Sequence, residues 1–349
     1  MEFVGELAKI LRKTGRLQQF VFLADRSIEL LQGNLKLIRP ILLRITIGYR
    51  SDIERHEYAD VLKYYLEVEK MFDDSVPDKT LRLLTLLKIG RAFILSAQYR
   101  KTLEYTLKAE IIAIEVKHKQ GEAWCCNTLG NAYIRLSDFK NAITSFQKGL
   151  EISTAIGNRS GIASNIGNLG IAYIKLGDNE KAITYYLEGL EINSAIGNKS
   201  GMANNNVNLG NAYRNLGENE KSITYYQEAL EINSAIGDQL GIATSNGNLG
   251  SSYCNLGEYE KGIMYYHQSL EINSAIGDQS GIASNHGNLG TAYLSLGEYE
   301  IAILYYQKGL EISSAIGNRS GIASNNENLG NAYFSLGEYE KPLCIMRKV

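Results

Sequence analysis

The sequence predicts an all-α protein, a right-handed α-solenoid superhelix of stacked antiparallel helix pairs. Three observations predict it. From Gly121 the text repeats every 40 residues, without a gap, as far as Lys341. Within each period, apolar residues recur in two blocks at helical steps of three and four. Glycine closes each block, and the whole chain has only 3 prolines in 349 residues. A fixed period of this length is the mark of a stacked repeat array, and internal repeats take precedence over other readings.

The repeated text is close to identical. Asn-Leu-Gly occurs at 168–170, 208–210, 248–250, 288–290 and 328–330, with Thr128-Leu129-Gly130 as an altered sixth copy. Glu-Ile-Asn-Ser-Ala-Ile-Gly occurs at 191–197, 231–237 and 271–277. In the unit 161–200, the first helix has its core face at Ile162, Ile166, Leu169, Ala172, Tyr173 and Leu176. Gly177 offers a left-handed stop, and Asp178 a cap for the next helix. The second helix has its core face at Ala182, Ile183, Tyr186, Leu190, Ala195 and Ile196. Gly197 ends it, and Asn198 or Ser200 caps the first helix of the next unit. One such pair buries too little apolar surface to stand alone, so the pairs must stack.

The ends are less regular. Residues 1–80 read as a degenerate helical N-terminal cap, with an amphipathic pair over 6–31 and turns at Pro40 and Pro77. Residues 81–120 form a divergent unit. Ile89, Gly90, Phe93 and Ala109 hold their places there, while Thr102 and Thr106 replace the expected alanine and aromatic residue. The tandem array covers 121–349, with units starting at 121, 161, 201, 241, 281 and 321, the last one truncated. Its final second helix is expected to be short and frayed around Pro342, as in a fragment of a longer chain.

The pattern Leu169-Gly170, Tyr173, Gly177, Ala182, Tyr186 resembles the tetratricopeptide repeat signature at its usual spacings. The common unit of that family is shorter, about 34 residues. The longer unit with Asn-Leu-Gly-x-Ala-Tyr is similar to those of Pins/LGN-type G-protein-signalling modulators and kinesin light chains. The resemblance implies the superhelical fold and a role as a protein–protein interaction scaffold or adaptor.

Composition excludes several function classes. Net charge is −2 and pI about 6.2, which gives no electrostatic case for nucleic acid. No apolar run is long enough for membrane insertion, and the first residues do not look like a secretory signal, so a cytoplasmic location is expected. Cys125, Cys126, Cys254 and Cys344 fit no disulfide framework, and reduced thiols are expected. His56, His118, His267 and His286 are scattered. No phosphate loop, nucleophile motif or ligand spacing appears, so no enzyme activity, cofactor or metal is expected.

The candidate binding surface is the side of each first helix opposite its core. Rotation by 100° per residue places Ser164, Asn168, Ile171 and Lys175 in one sector. The equivalents include Trp124, Asn131 and Arg135 in the unit before, and Asn204, Asn208, Asn211 and Asn215 in the unit after. Asn248, Asn288 and Asn328 continue the series. An asparagine amide offers a donor and an acceptor, which match the peptide group of another chain. Ladder asparagines on the inner wall are, by the resemblance, a peptide-holding device. Two readings stand side by side: a ladder for an extended peptide, or asparagines that bond within their own helix pair and recur only through duplication. A clamp for a C-terminal carboxylate would need basic residues, and the stripe holds only Arg135 and Lys175. Trp124 is an aromatic anchor at the end of the stripe or packs on the unit before it.

The tyrosines are expected to pack between repeats. Of each pair Tyr185-Tyr186, Tyr225-Tyr226, Tyr265-Tyr266 and Tyr305-Tyr306, one faces the core and one a more exposed wall. Function then reduces to a protein or peptide partner held in the groove. The alternatives are an oligomerisation or spacer arm, with self-association of the chain, and the regulatory half of a longer signalling protein.

Overall fold

A computed structural model describes residues 79–337 and, ahead of them, Leu62, Tyr65, Leu66, Glu69, Lys70 and Phe72. The expected N-terminal cap, apart from those six residues, and the truncated last helix around Pro342 lie outside the described residues. Among the described residues there are thirteen α-helices and no strand. They are α1 (Lys79–Leu95), α2 (Tyr99–Glu115), α3 (Lys119–Arg135), α4 (Phe139–Ala155), α5 (Arg159–Leu176), α6 (Asn179–Ala195) and α7 (Lys199–Asn215). Then come α8 (Asn219–Ile236), α9 (Gln239–Asn255), α10 (Tyr259–Ile276), α11 (Gln279–Ser295), α12 (Tyr299–Ala315) and α13 (Arg319–Ser335). Odd-numbered helices are the first helices of the sequence units, and even-numbered ones the second. None of them is long and apolar enough to cross a membrane.

Side-chain caps start many of the helices, whereas at α2, α8, α10 and α12 the N-cap side chain makes no such bond. The carboxylate or carboxamide of Asp138, Asp178, Asn198, Asp238 and Asn318 accepts a hydrogen bond from a backbone N–H in the following first turn. Of the two cap candidates after Gly197, Asn198 is therefore the one used. His118 plays the same part through Nδ1, which accepts from the Gly121 N–H at 2.8 Å. At the stops, ten glycines from Gly157 to Gly337 have φ between 66° and 84°, the left-handed region that side chains disfavour. In the N-terminal repeats the same turn is made by Ala97, Lys117 and Ser137 at φ 56°, 56° and 61°. Those three positions carry a strain of about 1 kcal/mol each that glycine would relieve.

The chain divides into two compact units, residues up to Ala172 and residues from Tyr173. In the first, α1, α2, α3 and α4 pack in sequence, and α1 also touches α3. Leu83, Leu86, Ala109, Ala113 and Cys125 are buried together there. The threonines of the divergent pair are part of this packing. Thr102 and Thr106 are both 0% exposed. A Cβ on Gly90 would stand 2.5 Å from Thr106 Oγ1, so a small residue on α1 meets a small residue on α2. In the second unit, α6 to α13 pack in sequence, and the first helices α7, α9, α11 and α13 touch one another directly. Tyr226 packs with Ile223 and Leu249, and Tyr306 with Ala302, Leu329 and Ala332. Tyr226, Tyr266 and Tyr306 each lie against glycine on the first helix of their own pair. A Cβ on Gly210 would come 2.5 Å from the Tyr226 ring, and one on Gly290 2.6 Å from that of Tyr306.

Two residues expected on the core face are elsewhere. Leu176 is 47% exposed, and Ala195 is exposed as well. Both sit in the last turn of a helix, just before the glycine that reverses the chain, so no neighbour extends over them. The converse occurs at several polar side chains, four of them at one repeat position. Asn165, Asn205, Asn285 and Asn325 are buried at 5% exposure or less. Asn165 Nδ2 donates to the Gly161 carbonyl at 2.9 Å, and Asn325 Nδ2 to that of Gly321 at 2.8 Å. Asn285 Nδ2 donates to Ser269 Oγ at 2.9 Å, which itself donates to the Ala243 carbonyl at 2.8 Å. These side chains need a small residue on the preceding second helix. A Cβ on Gly149 would stand 2.7 Å from Asn165 Oδ1, and one on Gly309 2.8 Å from Asn325 Oδ1. At the equivalent pair, Ala229 takes the glycine position and Ser245 the asparagine position, so the larger residue goes with the smaller.

Candidate functional site

The predicted stripe has four residues on each first helix, exposed or half-buried. Its outer members are exposed: Trp124 and Arg135 on α3, Asn204 and Asn215 on α7, with Lys175 at the end of α5. Its middle members, Asn131, Asn168, Asn208, Asn211, Asn248, Asn288 and Asn328, are half-buried. Helical spacing puts the two middle positions of each helix about one turn apart.

The two middle positions of the stripe differ in what they bond. The later one is committed to the fold. Tyr226 Oη donates to Asn211 Oδ1 at 2.7 Å, Tyr266 Oη to Ser251 Oγ at 3.0 Å, and Tyr306 Oη to Thr291 Oγ1 at 3.1 Å. Asn211 Oδ1 also accepts from Arg214 Nη2 at 3.2 Å. Burial pushes the Tyr226 hydroxyl up to about 12, and the nearby Arg214 moderates the rise. On α3 the partner position holds Phe146, which has no hydroxyl. Asn131 turns back there and donates to the Asn127 carbonyl at 2.9 Å. So an Asn, Ser or Thr at this position serves the hydroxyl of a core tyrosine.

The earlier position behaves otherwise. Among the described residues, the carboxamides of Asn168, Asn208, Asn248, Asn288 and Asn328 make no hydrogen bond to any protein group, although they are half-buried and the rest of their helices is richly bonded. A half-buried amide without a protein partner is left to water or to a ligand. In the second unit, Asn208, Asn248, Asn288 and Asn328 stand on four first helices, of which successive members touch. The exposed ends of the stripe are partly tied. Asn215 Nδ2 donates to Asn179 Oδ1, and Asn255 Nδ2 to Asn219 Oδ1, both at 3.3 Å.

The basic residues and the tryptophan stand apart from this pattern. Arg135 and Lys175 point into solvent with no hydrogen bond or ion pair among the described residues. Trp124 is 47% exposed, and its ring lies 6.4 Å from that of His118, the cap of its own helix.

A second periodic feature escaped prediction. Tyr173 stacks on Tyr185 at 5.4 Å, Tyr213 on Tyr225 at 5.3 Å, Tyr253 on Tyr265 at 5.3 Å, and Tyr293 on Tyr305 at 5.4 Å. Lys181, Lys221 and Lys261 place their ammonium groups over the first ring of the first three stacks. The signal was present in the sequence as Tyr and Lys at fixed offsets, but pairing of the rings depends on how the two helices of a pair face each other. The division between a core tyrosine and a more exposed one holds in every pair: Tyr186, Tyr226, Tyr266 and Tyr306 are buried, and Tyr185, Tyr225, Tyr265 and Tyr305 half-buried.

The remaining reactive groups are quiet. Burial raises the thiol of Cys126 to about 11 and that of Cys125 further, which keeps both protonated. Among the described residues no three His, Cys, Asp or Glu side chains converge as a metal-binding group.

A family model described as tetratricopeptide repeat matches residues 120–195, 201–251 and 241–315. No curated protein matches the sequence. Several solved structures share the fold at low identity. The apo form of the quorum sensor NprR from B. thuringiensis is 18% identical, covering 99% of this chain and 97% of its own, with a TM-score of 0.70. NprR in complex with its cognate peptide NprX is 17% identical over 88% of this chain and 87% of its own, at 0.57. A Rap protein complexed with Competence and Sporulation Factor is 14% identical over 97% and 99%, at 0.61.

Proposed function

The chain belongs to the tetratricopeptide repeat family, and from that premise we propose that it is a non-catalytic scaffold or adaptor which holds extended peptide segments of partner proteins along its first helices. One observation carries the reading. The asparagines at 168, 208, 248, 288 and 328 offer carboxamides with no protein partner among the described residues, whereas the neighbouring position is used up by core tyrosines. A backbone in extended form presents an N–H and a C=O at each residue, which is what one carboxamide can satisfy.

The likeness to NprR in complex with its cognate peptide NprX supports a peptide as the ligand class. Asn211 leaves the proposed contact set except through Arg214, and Asn131 leaves it on α3. Asn208, Asn248, Asn288 and Asn328 form the proposed ladder of the second unit, with Lys175 in that unit too; Asn168, Trp124 and Arg135 are the proposed contacts of the first unit. The near absence of charge on the stripe favours main-chain contacts over a carboxylate clamp. The 40-residue unit supports the finer likeness to Pins/LGN-type modulators and kinesin light chains. The cytoplasm is the proposed place of action.

The test is selection of extended peptides from a displayed random-decapeptide library by the full chain, followed by the variant Asn208→Ala/Asn248→Ala. Loss of two hydrogen bonds at about 0.7 kcal/mol each weakens binding roughly tenfold. The melting temperature does not fall, because neither carboxamide bonds to the protein and alanine is the better helix former. Equal affinity of the two proteins for the selected peptides sinks the ladder.

A further inference from the structure

Charge is segregated between the two units. Residues 79–172 hold thirteen Lys or Arg against six Asp or Glu, a formal charge of +7, and residues 173–337 hold eight against seventeen, a formal charge of −9. In the first unit the carboxylates are already committed. Glu104, Glu110, Glu115 and Glu122 are bridged to lysines, and Asp138 accepts from the first turn of α4. Only Glu151 has no partner among the described residues. The segregation is sharpest where a first helix turns into a second one. The 40-residue step runs through Arg100, Lys140, Glu180, Glu220, Glu260 and Glu300, in the first turns of α2, α4, α6, α8, α10 and α12. All six are exposed, and none makes an ion pair among the described residues. The helix dipole favours a carboxylate in a first turn and disfavours a cation. Four of the helices follow that preference, whereas α2 and α4 carry the opposite sign, which their own folding does not call for. With every charge counted, turns 95–101 and 135–141 come to +3, and turns 175–181, 215–221, 255–261 and 295–301 to −4.

We infer that these turns form a self-association surface, on which the basic turns of the first unit in one copy of the chain pair with the acidic turns of the second unit in another copy. Charge complementarity chooses the occupant. The partner of opposite sign is present on the same chain, at the same repeat positions and at the same 40-residue step, so cations and glutamates recur at matching intervals. Lys181, Lys221 and Lys261 are held by the adjacent Asp178, Glu218 and Glu258. Glu180, Glu220 and Glu260 therefore stay open to an outside cation. The whole chain has a net charge of only −2, so two copies do not repel each other at long range. The contact joins unlike surfaces and is heterologous. Its ion pairs are exposed, which makes it weak, fast to form and sensitive to salt. The ladder asparagines take no part in it.

The experiment is sedimentation velocity of the full chain at about 50 µM, in about 20 mM and about 300 mM sodium chloride. Wild type is expected above monomer mass at low salt and as monomer at high salt. Arg100→Glu/Lys140→Glu installs the residue that the other four helices carry, and it is monomeric at low salt with a melting temperature no lower than wild type. Glu220→Lys/Glu260→Lys loses association from the other side. An equal mixture of the two double variants associates again, because the acidic turns of the first variant meet the basic turns of the second. Should either double variant fail to fold, Lys140→Glu or Glu220→Lys alone is read in its place, as a several-fold shift toward monomer. Wild type that is monomeric at both salt concentrations, or association of Arg100→Glu/Lys140→Glu equal to wild type, overturns the inference. A mixture that stays monomeric overturns the pairing of basic with acidic turns. A monomeric wild type that binds a single-stranded RNA oligonucleotide, with binding lost in Arg100→Glu/Lys140→Glu, overturns it in favour of a nucleic-acid surface.

Discussion

His286 is one residue in a position that the other late repeats fill with asparagine, at Asn206, Asn246 and Asn326. Its ring is half-buried on α11, 5.7 Å from that of Tyr305 on α12, and His267 on α10 stands 6.3 Å from the same tyrosine. The nearest charged groups are Lys308 and His267, with no carboxylate among them. Lys308 already occupies the Tyr305 ring, at 5.7 Å. Burial first, then the two cationic neighbours, hold the imidazole below its ordinary value of 6.5. The unfolded chain therefore takes up a proton before the folded one does as pH falls. Stability contributed by neutral His286 is present above pH 6.5 and is lost as pH drops through that value toward the lowered one. Melting of the wild type is expected to fall more between pH 7.5 and pH 5 than melting of His286→Asn. Parallel pH curves for the two proteins would show that this ring does not titrate in that window.

At the scale of the helix, recognition between neighbours rests on paired sizes. Gly149 on α4 and Asn165 on α5 fit because the glycine leaves space for the carboxamide. Ala229 and Ser245 solve the same contact with the sizes exchanged. Gly149→Ala alone gains helix propensity of about 1 kcal/mol but forces Asn165 out of its bond to Gly161. A net loss of about 1–2 kcal/mol is expected. In the Asn165→Ser background the same alanine should be neutral or stabilising, as the α8–α9 pair shows by its composition. Urea denaturation of the two single variants and the double variant checks this. Additive effects would mean that the side chains do not meet as described. The tyrosine hydroxyls act by the same logic: Asn211, Ser251 and Thr291 differ in size, yet each offers an oxygen to the tyrosine of its own pair.

At the scale of the molecule, the described helices of each unit pack on near neighbours in the chain. Stability is then a sum of local terms, and the two compact units need not melt together. Trp124, the one tryptophan in 349 residues, reports on the first unit only. The left-handed turns at Ala97, Lys117 and Ser137 strain that same unit. In urea, tryptophan fluorescence is expected to change at a lower midpoint than far-UV circular dichroism, which monitors every helix. Superimposable curves would show a single cooperative transition.

The amino-acid sequence by itself determined the helix pairs, their glycine stops and polar caps, and the division of each tyrosine pair between core and wall. These come from local rules: 3.6 residues per turn, the left-handed freedom of glycine, and the oxygen of a cap residue. It also located the polar stripe on the first helices. The role of each asparagine stayed undecided. Asn165, Asn168 and Asn211 are one residue type on equivalent helices, yet one is buried against a glycine, one has no protein partner among the described residues, and one accepts from a core tyrosine. Helical periodicity assigns an angle to each of them but not the distance to the next helix. Near-identical copies supply no independent variation from which that distance can be read. Only the packed tertiary structure decides it, because a carboxamide becomes a structural bond or an open ligand site according to whether another chain segment comes within about 3 Å.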